Sequence, residues 1–394
     1  MKETQVSGFQ RAADDFMIKR KWYAFTCEKC QTTFYEKHLS SGSKNSCGWH
    51  GCATDDPDFR KLSKRSHPVT VTQVADLMSD FFRSRGLTLV PPRNIVNEES
   101  ETDLIIAGVQ MFDGVIRHNQ PMLLDKMYVA QPCTRMQFQD VVGLQDGIST
   151  SFVNVCTEKI NPTLDEHLEL VDLWFSMLSK LGMHMKDFTV VRRTETHDWD
   201  TGPFLSLELF FLYGGLELGD ASYAEIPRLS GNPVPISDIG FGLERIVWAL
   251  NKTESYFDLL APWTVRGTRE MCDFCRTVAL LALCGVKAGN KGAGLQFKRL
   301  CKTLSEKYYR SDLYEAVSYY YDYWQHLIEP IVSRDLVLKR VRLEVDRLVN
   351  VKISQLLKLP PPREETTDEY FDRLVYANNV SIKDLREALH LCQT

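Results

Sequence analysis

Asp238-Ile-Gly-Phe-Gly-Leu-Glu-Arg245 is the stretch on which the fold turns: a strand end, two glycines and a Glu-Arg pair run directly into Ile246-Val-Trp-Ala-Leu250, a helix. Glycines at such a junction let the backbone approach a ligand, and a planar guanidinium both grips phosphate and stacks on a base. Taken alone, the word also reads as a helix start with a solvated Glu-Arg face. A second stretch, Gln131-Pro-Cys-Thr-Arg135, closes a strand and is followed by an irregular loop and by Phe152 on the returning strand. Around these words lie β-rich runs beginning at Lys126, Ser151, Phe188 and Leu205, interrupted by one amphipathic helix near Leu164 to Leu181. Upstream, Val74, Leu77, Phe81 and Phe82 recur at helical spacing, and Arg85-Gly86 and Pro91-Pro92 end that helix. These patterns predict an α+β domain over 61–255, built on an antiparallel sheet flanked by helices. Beyond Trp263 the spacing is helical almost throughout, which predicts an all-α domain over 256–394.

Composition sets the outer bounds. With 394 residues, 44% hydrophobic and 25% charged, the chain is too long and too apolar for a disordered tail and suits two or three domains. No apolar run approaches the ~18–20 residues of a membrane span, and the polar start lacks the greasy stretch of a signal peptide, so a cytoplasmic protein is expected. The net charge of −5 demands no polyanionic partner. The 21 Lys/Arg against 18 Asp/Glu from Tyr256 onward would confine any nucleic-acid contact to the C-terminal third.

Four of the eleven cysteines stand apart. Cys27-Glu-Lys-Cys30 and Cys47-Gly-Trp-His-Gly-Cys52, sixteen residues apart in a polar stretch too small for its own core, carry metal-ligand spacing. They predict an N-terminal module over 1–60 with a structural Zn2+ held by four thiolates; His50 is a candidate replacement for Cys52, and two reduced pairs without metal are the alternative. The other cysteines sit in apolar runs, where thiols behave as small hydrophobes.

In their order along the chain these words resemble the class II aminoacyl-tRNA synthetases, and alanyl-tRNA synthetase of the archaeal type in particular. The similarity follows the paired cysteines, the helix and proline between Asp76 and Pro92, Asp103-Leu-Ile-Ile-Ala-Gly-Val-Gln-Met-Phe112, Gln131 to Arg135, Gly215-Leu-Glu-Leu218, Asp238 to Arg245, and Gly292 to Leu300 in the helical part. The resemblance implies a ligase that uses ATP with Mg2+ to convert an amino acid to an aminoacyl adenylate. Arg135 would hold the α-phosphate; Phe152 and Arg245 would sandwich the adenine beside Gly242; Glu217 would face phosphates and magnesium; Asp140 matches a further acidic position of the nucleotide loop. Asp238 matches the carboxylate for the substrate α-ammonium, with Trp199, Ser222 and Gly240 about the amino-acid pocket. Phe152 and Trp199 also read as core aromatics, and Glu217 as a strand carboxylate.

The chain departs from the family in places that bear on the acceptor. Asp198-Trp-Asp-Thr-Gly-Pro203 is short of the family's glycine-rich run, with two extra residues before Glu208, and Ser222 stands where an aliphatic side chain would line the pocket. Leu144-Gln-Asp-Gly-Ile-Ser-Thr150 lacks the family's basic word, and the helical basic cluster thins to Lys298, Arg299 and Lys302. The family's editing and oligomerisation domains would lie beyond Thr394. These departures favour transfer of the activated amino acid to a small-molecule amine, forming an amide. Aminoacylation of tRNA is the first alternative and an inactive tRNA- or protein-binding paralogue the second. Class II domains pair through their first motif, which would make a homodimer.

Overall fold

The computed structural model describes residues 3–38, 46–52, 58–97, 102–118, 120–121, 126–260, 268–309 and 312–393. Strand β7 (Gly202–Tyr213) shows how the sequence builds the sheet. Leu207, Leu209 and Phe211 are buried on one face, while Phe204, Ser206, Glu208 and Phe210 take the alternate positions on the other. Among the described residues the strands form one nine-stranded sheet, in the order β1 (Tyr23–Thr26), β2 (Thr33–Glu36), β6 (Phe188–Trp199), β7, β8 (Leu216–Ile226), β9 (Val234–Gly242), β5 (Ser151–Ile160), β4 (Lys126–Thr134) and β3 (Thr88–Leu89). All neighbours are antiparallel except β3 and β4, a short parallel pair at the edge.

The apolar face carries α2 (Val71–Ser84), α4 (Leu164–Lys180) and α5 (Leu243–Asn251). Thr70 and Thr163 cap the first two through reciprocal bonds with Gln73 and Glu166, satisfying backbone N–H groups that a helix start leaves open. Trp174 of α4 stacks on Phe241 of β9 at 4.4 Å, and Phe82 of α2 stacks on Tyr128 of β4 at 4.7 Å. The opposite face is half covered. A 3-10 turn at Gly108–Phe112 and helix α3 (Asp113–His118) lay Val109, Met111, Phe112 and Ile116 over Met127, Val129, Ile160 and Ile236.

Three features were illegible from the pattern. The polar start forms α1 (Glu3–Lys19), whose Ala13, Phe16 and Met17 join the main core; its Asp14 accepts from Tyr35 Oη and Arg192. The cysteines lie beside β1 and β2, whose pairing with β6 makes them part of the sheet. Just before α2, in a polar stretch, Phe59 is fully buried and meets Trp248 edge-on at 4.8 Å.

The chain after residue 268 is helical: α6 (Arg269–Leu283), α7 (Gly292–Lys307), α8 (Asp312–Gln325), α9 (Arg334–Leu357), α10 (Thr367–Asn378) and α11 (Ile382–Gln393). Helices α6 to α8 and the first turns of α9 share one continuous apolar core with the sheet; the end of α9 with α10 and α11 forms a smaller one around Tyr370 and Leu385. Arg276 of α6, fully buried, bonds Glu244 of α5 at 3.3 Å, while Asp273 accepts from the N–H and hydroxyl of Thr150. Among the described residues no helix is long and apolar enough to cross a membrane.

Candidate active site

Antiparallel register aligns the chemistry. Arg193 (β6), Glu208 (β7), Ser222 (β8), Asp238 (β9) and Glu158 (β5) are successive partners across five strands, so their side chains emerge in one row on the half-covered face. The next row holds Phe210, Asp220, Gly240 and Cys156, and further along β5 and β4 stand Phe152 and Cys133. Sequence reasoning assigned Asp238, Ser222 and Gly240 here but gave no site role to Glu158, Asp220, Glu208, His197 or Arg193. The signal was available in the strand alternation, since a charged side chain at the period of Ser-Phe-Val-Asn-Val-Cys-Thr-Glu must share a face with Phe152 and Asn154.

Four carboxyl groups in so little space cannot all be ionised. Glu158 is fully buried, neither oxygen has a donor among the described residues, and burial together with Asp238 pushes its pKa well above the carboxylate range. Burial lifts Asp238 as well, to about 6, restrained by the neighbouring Glu158 carboxyl and by the Arg135 and His197 charges. The two carboxyls are therefore coupled, and a proton on one favours ionisation of the other. Burial, then Glu208 and Asp238, raise Asp220. Glu208 accepts from the Ser206 and Ser222 hydroxyls, the latter at 3.1 Å, and its bond with His197 raises the imidazole pKa. Gly108 roofs Glu158: a side chain there would run into Cys156 Sγ, so the turn closes on the sheet only as glycine. Gly240 is tight as well, since an added Cβ would lie 2.9 Å from Asn154 Nδ2.

Arg135 leaves the end of β4, half-exposed, with its guanidinium 5.0 Å from the Phe152 ring centroid and its Nε donating to the Ile106 carbonyl at 3.1 Å. Arg245, in the first turn of α5 behind Gly242, spans the carbonyls of Gly147 (3.2 and 3.1 Å) and Glu217 (3.1 Å). Glu217 follows the register shift between β7 and β8, and its Oε2 accepts from Trp49 Nε1 at 3.0 Å. Trp199 ends β6 edge-on to Phe204 at 4.9 Å, among the apolar residues below the row. Asp140 is exposed on the 3-10 turn Met136–Val141 and lines a separate cleft of about 320 Å³ with Gln296 and Arg299 of α7. Phe152, Asp238, Gly240 and Ser222 thus lie on one sheet face, with Arg135 at the end of β4 beside Phe152; Asp140 belongs to the cleft beside it.

The four cysteine sulfurs lie within 4.8 Å of one another, with Cys30 and Cys47 Sγ 3.7 Å apart. A tetrahedral ion with thiolates at ~2.3 Å needs sulfurs about 3.8 Å apart. The Cys27 carbonyl accepts from Gln31 N–H at 2.8 Å in a turn that places Gln31 at φ 61°, so one tight loop aims two thiols at one point. Burial raises the Cys27 thiol, yet the N–H groups of Cys47, Cys30 and Lys29 outweigh it and bring it down to about 6. The donor set fits zinc. The His50 side chain lies outside the described residues.

No family model matches the chain. It is 22% identical to the alanine–tRNA ligase of Sulfurisphaera tokodaii along 93% of its own length and 48% of that protein, and 22% identical to the alanine–tRNA ligase of Saccharolobus islandicus along 95% and 49%. The chain resembles archaeal alanine–tRNA ligases. Over 64% of its length it is also 24% identical to the alanine–tRNA ligase of Methanosarcina mazei. It spans about half the length of the first of these curated relatives. Among solved structures, the pyrrolysyl tRNA synthetase PylSc of Desulfitobacterium hafniense superposes with a TM-score of 0.35 at 14% identity, over 50% of this chain and 73% of that one. The asparaginyl-tRNA synthetase of Entamoeba histolytica gives 0.34 at 12%, over 48% and 64%.

Proposed function

We propose that the chain is an ATP-dependent ligase that forms an aminoacyl adenylate on this sheet face and passes the aminoacyl group to tRNA. The observation that carries the reading is the carboxylate row set beside the Arg135–Phe152 stack. Asp238 holds the substrate α-ammonium, which leaves the substrate carboxylate directed toward Arg135. Its oxygen attacks the α-phosphorus of Mg–ATP, the bond to the bridging oxygen breaks, and pyrophosphate leaves. Arg135 offsets the charge that grows on the α-phosphate, in a site arranged before reaction. Phe152 and Arg245 receive the adenine, and Glu217 faces the magnesium-bound phosphates. Ser222, tied to Glu208, makes a polar wall that suits an amino acid with a polar or larger side chain. The cysteine cluster holds zinc as a structural ion, and the helices of 256–394 with the Asp140–Arg299 cleft face the acceptor.

ATP–pyrophosphate exchange across the standard amino acids tests the activation step without knowledge of the acceptor. Exchange with one of them is expected; ATP that neither binds nor exchanges sinks the reading. Because only ionised Asp238 attracts an ammonium, and its pKa lies near 6, kcat/KM for the amino acid should rise as pH climbs through about 6 and level above it. A flat profile between about pH 5 and 8 would remove Asp238 from that role. Metal analysis should return one zinc per chain, lost in Cys47→Ser; metal-free protein with an intact fold overturns the assignment.

Transfer to a small-molecule amine stays as a second reading on one observation. Asp146 of the Leu144–Thr150 loop ion-pairs with Arg60 at 4.0 Å and Arg269 at 3.6 Å and accepts from Ser255, so two arginines near the site are engaged within the protein. Adenylate consumed by an amine and not by tRNA would decide for it.

A further inference from the structure

We infer that Trp49, carried between Cys47 and Cys52, is a positioning residue of the nucleotide site, through which the metal loop sets how Glu217 meets Mg–ATP. This rests on the reading of Glu217 as the carboxylate that faces magnesium. Three contacts place Trp49 on the site face. Its indole Nε1 donates to Glu217 Oε2 at 3.0 Å, its ring carries the Arg193 guanidinium at 4.2 Å, and it tilts against Phe210 at 4.7 Å. Those partners belong to β8, β6 and β7, and two of them are aligned with site carboxyls, Arg193 with Glu208 and Phe210 with Asp220. One ring from the cysteine loop therefore spans three strands of the sheet.

The chemistry suits positioning. An indole N–H is a donor without charge, so it fixes the direction of a carboxylate and leaves its negative charge to attract a cation. Glu217 is held at its backbone as well, because Arg245 donates to its carbonyl at 3.1 Å. The register shift between Phe211 and Leu212 opposite re-aims this part of β8, which makes side-chain direction at Glu217 dependent on such partners. Trp49 itself lies outside strand and α-helix, two residues after one thiol and three before another. Tying both thiols to an ion shared with Cys27 and Cys30 fixes the loop, and with it the indole, where free thiols would leave a short irregular segment.

Trp49→Phe keeps a ring for Arg193 and Phe210 and deletes the N–H. Calorimetry of ATP binding, with magnesium and with magnesium chelated, reads the effect on the full chain before any amino acid is known. The expected result is about a tenfold weaker Kd for Mg–ATP, the scale of one hydrogen bond to a charged group, with little change for metal-free ATP. Zinc content and the melting temperature, measured on the same sample, should match the wild type. Protein stripped of zinc under folding-compatible conditions should show the same selective loss. An unchanged Mg–ATP affinity in Trp49→Phe overturns the proposal, and so does an equal loss with and without magnesium, which marks a merely structural ring. Glu217→Gln separates the two layers: if it leaves Mg–ATP binding unchanged, the reading of Glu217 fails. If Glu217→Gln weakens binding and Trp49→Phe does not, Trp49 alone is excluded.

Discussion

Arg135→Ala is expected to lower ATP–pyrophosphate exchange by about 10²–10³-fold, the scale of removing one preorganised donor from a transition state. The guanidinium is half-exposed, stacked on Phe152 and donating to the Ile106 carbonyl, and the sheet beneath it is complete without it. Unfolding stability should therefore change by only about 0.5 kcal/mol, as for substitutions outside the core. Arg135→Lys should recover part of the loss, because a point charge replaces a planar fork that can meet two phosphate oxygens. Exchange that survives Arg135→Ala would mean that phosphate is held elsewhere, and the assignment of the whole Gln131–Arg135 word would fall with it.

The second large effect is on stability. Arg276→Ala should cost about 3–5 kcal/mol, since it leaves two buried carboxylates without their cation. Arg276 pairs with Glu244 at 3.3 Å and Asp273 at 3.5 Å, and Glu244 also accepts from the Val153 N–H and the Tyr323 hydroxyl. Burial raises both carboxyls, and Arg276 is the first influence that opposes it, so removal of the guanidinium drives them toward the protonated form. The deficit in Arg276→Ala should shrink as pH falls and Glu244 and Asp273 take up protons. Chemical denaturation at two pH values measures it. A loss below about 1 kcal/mol would show the cluster to be weakly coupled, and an equal loss at both pH values would show that lost packing, not charge, dominates.

This cluster explains why one recognisable word did more than its letters suggested. Within Gly-Phe-Gly-Leu-Glu-Arg, buried Glu244 ties β5 beside Phe152 to α5 and α6, while Arg245 bonds the carbonyls of Gly147 and Glu217. The sheet, its helices and the positions of Arg135, Phe152 and Asp238 were legible because period-two and 3.6-residue patterns report local geometry and burial directly. The neighbours that tune Asp238 were not. Glu158, Asp220 and Glu208 come from three further strands, and only register brings them together. Trp49 read as a residue between metal ligands, since no local pattern tells which surface an irregular loop will meet. Helix α1 was hidden because its few apolar residues, Ala13, Phe16 and Met17, make a narrow stripe in a polar sequence.

The shared core of sheet and helices limits motion of one against the other. Leu280, Phe297, Trp324 and Val341 belong to the same buried cluster as Trp174 and Phe241, so among the described residues one apolar core runs from α6 into the sheet without a solvated seam. A seam of that kind is what a hinge needs, because swinging one part against another exposes whatever lies between them. Here a swing would open apolar surface and part the Arg276–Glu244 bond. The helical part is thus a fixed wall, not a carrying arm. On the proposed reading, an acceptor reaches the adenylate past this wall, and its specificity is written in the spacing between the Asp140–Arg299 cleft and Arg135.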